Sequence, residues 1–150
     1  MCVKFFERGN ILVPIDGSDG CHKALSFAIE LSRKYGSELT LVHVVQHSAT
    51  LLAETDIFEA GYSEIDAVLE ESGKQILKNC SEETNKQGIK VNTKLLRGHP
   101  GTQIVNYSKE GGFSLIVMGN RGLSGLKRIL LGSVSDYVSD HAECSVLIVK

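Results

Sequence analysis

The chain has 150 residues, 42% of them hydrophobic and 23% charged, with a formal net charge of −2. That length and apolar content fit one compact domain able to bury a real core, with no room for a second. The near-neutral balance gives no global basic surface, which argues against nucleic acid as the main partner, and no apolar run approaches the roughly 18 residues that would suggest a membrane partner. The leading Met1-Cys2-Val3-Lys4-Phe5-Phe6 is too short for a signal-peptide core, so the expected location is the cytoplasm. Cys2, Cys21, Cys80 and Cys144 form no Cys-x2-Cys pair, which suggests reduced thiols rather than zinc ligands or a disulfide framework.

Asn10-Ile11-Leu12-Val13-Pro14-Ile15 is rich in β-branched residues and reads as a central strand ending at Asp16, with Pro14 near its end, where a missing ladder N–H is tolerated. Asp16-Gly17-Ser18-Asp19-Gly20 is a turn cluster that offers Ser18 and Asp19 as helix N-caps. Ala24, Leu25, Ala28, Leu31 and Tyr35 then recur at helical spacing as far as Gly36, a natural C-cap. Leu39 to Val45 is nearly continuous in apolar residues, as expected of a strand covered on both faces.

Gln46 to Gly61 has no clear period and reads as a loop with an irregular or helical piece around Leu51 to Phe58. Ile65, Val68, Leu69, Ser72, Ile76 and Cys80 define the apolar face of a long helix ending at or before Gly88. Val91 to Leu96 reads as a third strand near a sheet edge, because polar Asn92 and Lys94 interrupt it. Gly98-His99-Pro100-Gly101 is a turn, and Ile104, Val105 and Ser108 belong to a helix stopped by Gly111-Gly112. Leu115 to Met118 is a fourth strand, a last helix runs to about His141, and Ser145 to Val149 is a fifth strand. Strands alternating with helices imply right-handed crossovers and a parallel, doubly wound α/β sheet.

The stretch between the fourth strand and the last helix carries the chemistry. Its glycines let backbone N–H groups approach a ligand, and Gly132-Ser133 opens a helix whose first N–H groups lack partners within the helix. Such an end suits phosphate. Arg121, Lys127 and Arg128 lie in the same connection, and no Asp or Glu occurs from Gly111 to Ser135. The local charge therefore favours an anion. His43 and His47 sit four apart on a strand and its exit, which does not converge two imidazoles on one metal as a helix would. His99, on a turn, is better explained as a solvated residue than as a ligand contact.

The spacing Gly119-x2-Gly122-x9-Gly132-Ser133 resembles the universal stress protein family, in the subgroup that binds ATP through a Gly-x2-Gly-x9-Gly-Ser/Thr loop, and the likeness runs from Asn10 to Lys150. The resemblance implies a five-stranded, Rossmann-like sheet of order 3-2-1-4-5, similar to the adenine nucleotide alpha hydrolase fold. Strands one and four would then meet where the winding reverses, the place where such sheets bind ligands. It also implies nucleoside contacts from Pro14, Ile15 and Asp16, an adenine contact from the backbone of Val44, and phosphate contacts from Met118, Gly119, Arg121, Gly122, Gly132, Ser133, Val134 and Ser135. Asn120 departs from the Ser common in the family. Asp16 could also hold Mg²⁺ bridging phosphates, or merely cap the first helix. Lys127 and Arg128 are as readily explained by a wet surface as by phosphate screening.

An apolar last strand at a sheet edge needs cover, and the resemblance implies a homodimer through Ser145–Val149. The leading function is an ATP-dependent switch in a stress response, read by an unknown protein partner. The alternatives are a slow ATPase or phosphotransferase, and a dimeric interaction module that binds no nucleotide. The absence of a Gly-x4-Gly-Lys-Ser/Thr loop, and of an evident base beyond Asp16, leaves at most weak ATP hydrolysis as the expectation.

Overall fold

In the computed structural model the structure describes residues 9–46, 59–122 and 131–150. The elements run β1 (Asn10–Pro14), α1 (Asp19–Tyr35), β2 (Glu38–Val45), α2 (Glu59–Lys86), β3 (Val91–Arg97), α3 (Pro100–Glu110), β4 (Leu115–Gly119), α4 (Ser133–His141) and β5 (Ser145–Val149). All four strand pairings are parallel and the order is β3-β2-β1-β4-β5.

Strand alternation divides the core into two layers, because successive side chains leave a strand on opposite faces. Ile11, Val13, Leu39, Leu41, Leu115 and Val117 face one way, against Ala24, Leu25, Ala28 and Ile29 of α1 and Leu77 and Cys80 of α2. Leu12, Val42, Ile116 and Met118 face the other way, against Ile104 of α3 and Val138 of α4. The central strands β1 and β4 are buried on both faces, which is why their sequences are continuously apolar. β3 sits at an edge with Asn92, Thr93 and Lys94 exposed, as its interrupted pattern suggests.

Several local readings need correction. Regular pairing in β1 stops at Pro14 rather than running on to Asp16, although the Ile15 N–H still reaches the Val42 carbonyl at 2.8 Å. Tyr35 is exposed and Ile29 takes its place in the core, because the buried face of α1 is set by Cys21, Ala24, Leu25, Ala28, Ile29 and Ser32. Residues Glu59 to Gly61 already belong to α2, and the proposed piece at Leu51–Phe58 lies outside the described residues. Val68 is 68% exposed, and Leu77 and Thr84 carry the buried side of that helix instead. α3 begins at Pro100, so Pro100 and Gly101 are its first turn. Proline at that position already has the φ a helix needs, and the N–H it lacks would have had no partner.

Two glycines set how α1 meets the end of β4. A Cβ on Gly119 would lie 2.7 Å from the Gly20 carbonyl carbon and 2.8 Å from its oxygen, and a Cβ on Gly20 would lie 2.8 Å from the Arg121 carbonyl oxygen. Backbone therefore rests on backbone where the first helix passes the loop. Neither glycine has a positive φ, so close approach rather than dihedral freedom explains both.

Candidate functional site

A crevice of about 610 Å³ opens at the carboxyl ends of β1 and β4. These strands are neighbours, and the chain winds outward from them in opposite directions. All twelve residues that the sequence nominates line it: Pro14, Ile15 and Asp16 from the exit of β1, Val44 from β2, Met118, Gly119, Arg121 and Gly122 from the exit of β4, and Gly132, Ser133, Val134 and Ser135 from the start of α4. Lys127 and Arg128 fall outside the described residues, as does His47.

Asp16 is half-buried and organises its own turn. Its Oδ1 accepts from the Ser18 N–H at 2.9 Å and from Ser18 Oγ at 2.6 Å. Ser18 in turn caps α1, its Oγ accepting the Cys21 N–H at 3.3 Å. Asp16 is thus one step behind the cap rather than the cap itself. Its other oxygen, Oδ2, faces Gly122, where a Cβ would come within 2.7 Å of it. Gly122 is the residue whose missing side chain leaves this carboxylate room.

The second half of the loop is braced by backbone. The Gly132 N–H donates to the Asn120 carbonyl at 2.7 Å, tying the two arms together. Ser135 Oγ lies 3.1 Å from that same carbonyl and 2.9 Å from the Gly132 carbonyl. A hydroxyl has one hydrogen, so Ser135 holds the loop closed in this conformation instead of offering that hydrogen to a ligand. Gly132 precedes α4 with no side-chain cap, and the Asp136 N–H is the first to close on it at 2.9 Å. The N–H groups of Ser133, Val134 and Ser135 are therefore the unpaired opening turn of α4, on the crevice wall.

Val44 contributes through its backbone. In a parallel ladder the N–H and C=O of one residue point to the same neighbouring strand, and alternate residues share that direction. Val42 faces β1, since its carbonyl takes the Ile15 N–H, and so does Val44. β1 pairs with β2 only as far as Pro14 opposite Val42. The Val44 amide and carbonyl accordingly look into the crevice past the end of β1.

Sequence reasoning missed part of the wall. Leu69, Ser72 and Ile76 of α2 line the crevice at helical spacing, and Pro100 and Ile104 of α3 line its other side. The α2 residues were legible as one helix face, yet nothing local says which cavity that face closes. His43 also lines the crevice, and its Nδ1 lies 2.7 Å from the Ile15 carbonyl oxygen. A carbonyl only accepts, so Nδ1 carries the hydrogen. The ring also packs on Gly73, where a Cβ would meet its Cδ2 at 2.6 Å, so His43 joins the β1 exit to α2. His99 does not line the crevice; it meets the Tyr137 ring edge-on at 5.9 Å between centroids.

Cys21 also lines the crevice, but burial pushes its thiol above the ordinary range. Cys80 in the same core layer is pushed up to about 11, chiefly by burial and then by Cys21 nearby. Both are protonated at neutral pH, so neither is an activated nucleophile. Cys21, Cys80 and Cys144 are free thiols. Among the described residues no group of three or more His, Cys, Asp or Glu is placed to hold a metal ion, and no described helix is long and apolar enough to cross a membrane.

A doubly wound parallel sheet, with a glycine-lined crevice where its winding reverses, defines a Rossmann-like α/β protein. The chain belongs to the universal stress protein family, whose model matches residues 7–150. It is 40% identical over 144 residues to universal stress protein YxiE of Bacillus subtilis, covering 93% of this chain and 97% of that one. Among solved structures, universal stress protein UspA from Lactobacillus plantarum superposes with a TM-score of 0.83 at 27% identity, covering 96% of this chain and 99% of that one. The fold is shared at lower identity by a universal stress protein in complex with cAMP (TM-score 0.71, 23% identity, 96% and 98% covered). It is shared likewise by one from Archaeoglobus fulgidus in complex with dAMP (TM-score 0.66, 22% identity, 97% and 99% covered).

Proposed function

We propose that this protein is a cytoplasmic, single-domain adenine-nucleotide switch of the stress response, which binds ATP in the crevice between β1 and β4 without turning it over efficiently. The observation that carries this reading is the joint placement of an unpaired strand backbone at Val44 and an unpaired helix start at Ser133–Ser135 on one cavity. An adenine presents a donor at N6 beside an acceptor at N1, which matches the carbonyl and amide of one strand residue. Guanine presents the reverse pattern, an acceptor at O6 beside a donor at N1, and so mismatches both. The α4 start supplies N–H groups and partial positive charge for phosphate, and Arg121 adds a full charge. The glycines fit as a cradle: Gly122 leaves space beside Asp16, and at Gly132 a Cβ would meet only ordinary contacts, so no described protein atom requires glycine there. The cAMP and dAMP complexes agree with an adenine ligand on this fold.

Mg²⁺ fits only in company with phosphate. Asp16 offers one uncommitted carboxylate oxygen, and a cation there would need phosphate oxygens and water to complete its shell. Among the described residues the crevice supplies no activated nucleophile, and the Cys21 thiol on its wall is protonated. ATP is therefore a ligand whose presence fixes the loop between β4 and α4, a state that a protein partner reads. Homodimerisation is the second part of the proposal. β5 pairs with β4 on one side only, its Val146 to Val149 are half-buried, and a twofold copy would cover that edge.

Sedimentation of the protein with ATP tests both parts. The expected boundary carries twice the 16.3 kDa chain mass and one co-sedimenting nucleotide per chain. A boundary of single-chain mass would remove the dimer, and nucleotide left behind at millimolar concentration would remove the switch.

A further inference from the structure

A second cavity, of about 530 Å³, adjoins the crevice and shares Ser18, Arg121 and Gly122 with it. Its side-chain charge is one-sided: among the described residues Lys23, Arg121 and Lys150 line it against one acidic side chain, Asp19. In a chain of net charge −2, that is a local reversal of sign.

Three separate elements hold these cations. Lys23 stands in the second turn of α1, which the Gly20–Gly119 backbone contact presses against the loop bearing Arg121. Lys150 follows β5, and the Asn120 N–H donates to the Val149 carbonyl at 3.0 Å, so the end of β5 runs beside the same loop. None of the three cations forms an ion pair with a described carboxylate, Asp19 included, although Asp19 lies one helical turn before Lys23. The first turn of α1 also opens here. Ser18 takes the N–H groups of Cys21 and His22, which leaves those of Asp19 and Gly20 as unpaired donors at the cavity wall. Three cations that line one cavity with no ion-pair partner among the described residues repel, and an anion of two or more charges relieves that repulsion.

We propose that this cavity is a phosphate subsite. It takes either the distal phosphates of a nucleoside polyphosphate whose base lies in the crevice, or the phosphates of a free oligophosphate. The two cavities adjoin at Ser18, Arg121 and Gly122. The first source rests on the nucleotide reading above, and the second does not. Crevice and subsite together would distinguish ATP from AMP by phosphate count, with Lys23 and Lys150 as the discriminating residues.

The test compares the wild type with Lys23→Glu/Lys150→Glu in calorimetric titrations with AMP, ATP and inorganic tripolyphosphate. Both lysines are exposed, so the variant keeps its melting temperature. If the source is the nucleotide, ATP affinity falls about tenfold or more in the variant while AMP affinity holds within about twofold. If the source is a free oligophosphate, tripolyphosphate binds the wild type and its affinity falls by a similar factor, about tenfold, whatever the nucleotides do. Tripolyphosphate binding that fails in the variant when neither AMP nor ATP binds either protein would sink the nucleotide reading and leave the subsite standing. ATP, AMP and tripolyphosphate all indifferent to the double substitution would overturn the subsite.

Discussion

Gly122→Val is expected to leave the protein folded and to cost it ATP. Gly122 is exposed and its φ is not positive, so the backbone accepts a side chain and the melting temperature holds within about 2 °C. The new Cβ would nevertheless sit 2.7 Å from Asp16 Oδ2. The two γ-carbons must then project into the crevice or displace the Asp16 carboxylate, and either movement occupies the space between the β1 exit and the α4 start. ATP affinity should fall by tenfold or more, about 1.4 kcal/mol. Binding unchanged to within about threefold, measured on folded variant, would show that this loop does not hold the ligand.

The second large effect is on stability. Gly119→Ala places a Cβ against the carbonyl carbon, oxygen and Cα of Gly20 at 2.7 to 3.0 Å. All three are backbone atoms, so no side chain can turn away, and either α1 or the end of β4 must move. Overpacking of this kind costs about 3 kcal/mol, which for a domain of this size lowers the melting temperature by roughly 6–12 °C. Thermal unfolding of the variant checks it; a midpoint within about 2 °C of wild type would mean that the two segments are not locked together. The contrast with Gly122 is informative, because two glycines of one motif serve different ends. Gly119 lets the protein close on itself, and Gly122 keeps space for the Asp16 carboxylate and, in the proposed function, for the nucleotide.

That division was not legible in the sequence. The periodicities located every described strand and helix, since a parallel sheet covered on both faces leaves continuous apolar runs such as Leu115–Met118. Strand order came instead from the resemblance, because pairing between β1 and β4 joins residues about a hundred positions apart and leaves no local mark. Among the crevice-lining residues, Gly122, Gly132 and Ser133 were legible as glycines and a helix start, whereas Val44 came only from the resemblance, because a backbone contact leaves no mark in a side chain. Site residues were not legible where a distant side chain closes the wall. His43 looked like an isolated strand histidine, and its bond to the Ile15 carbonyl and its seat on Gly73 depend on the path of α2. Val68 is 68% exposed on a helix that packs against β2 and β3, so apolar spacing alone did not decide which of its positions are buried. Ser135 lines the crevice from the first turn of α4, and its hydroxyl lies against the Gly132 carbonyl three residues back and the Asn120 carbonyl fifteen residues back, a bracing that its place in the motif does not reveal.

The switch account stands on the crevice holding an adenine nucleotide by Val44 and the α4 start. Calorimetric titration of protein freed of any ligand from purification tests that most directly, with ATP and Mg²⁺ in one series and GTP in another. The account predicts one ATP per chain at micromolar affinity, about −8 kcal/mol, with GTP weaker by tenfold or more because its base edge reverses the donor and acceptor order. No heat with ATP up to millimolar concentration, or ATP and GTP binding alike, would contradict it; the first result would leave the dimeric interaction module as the better reading.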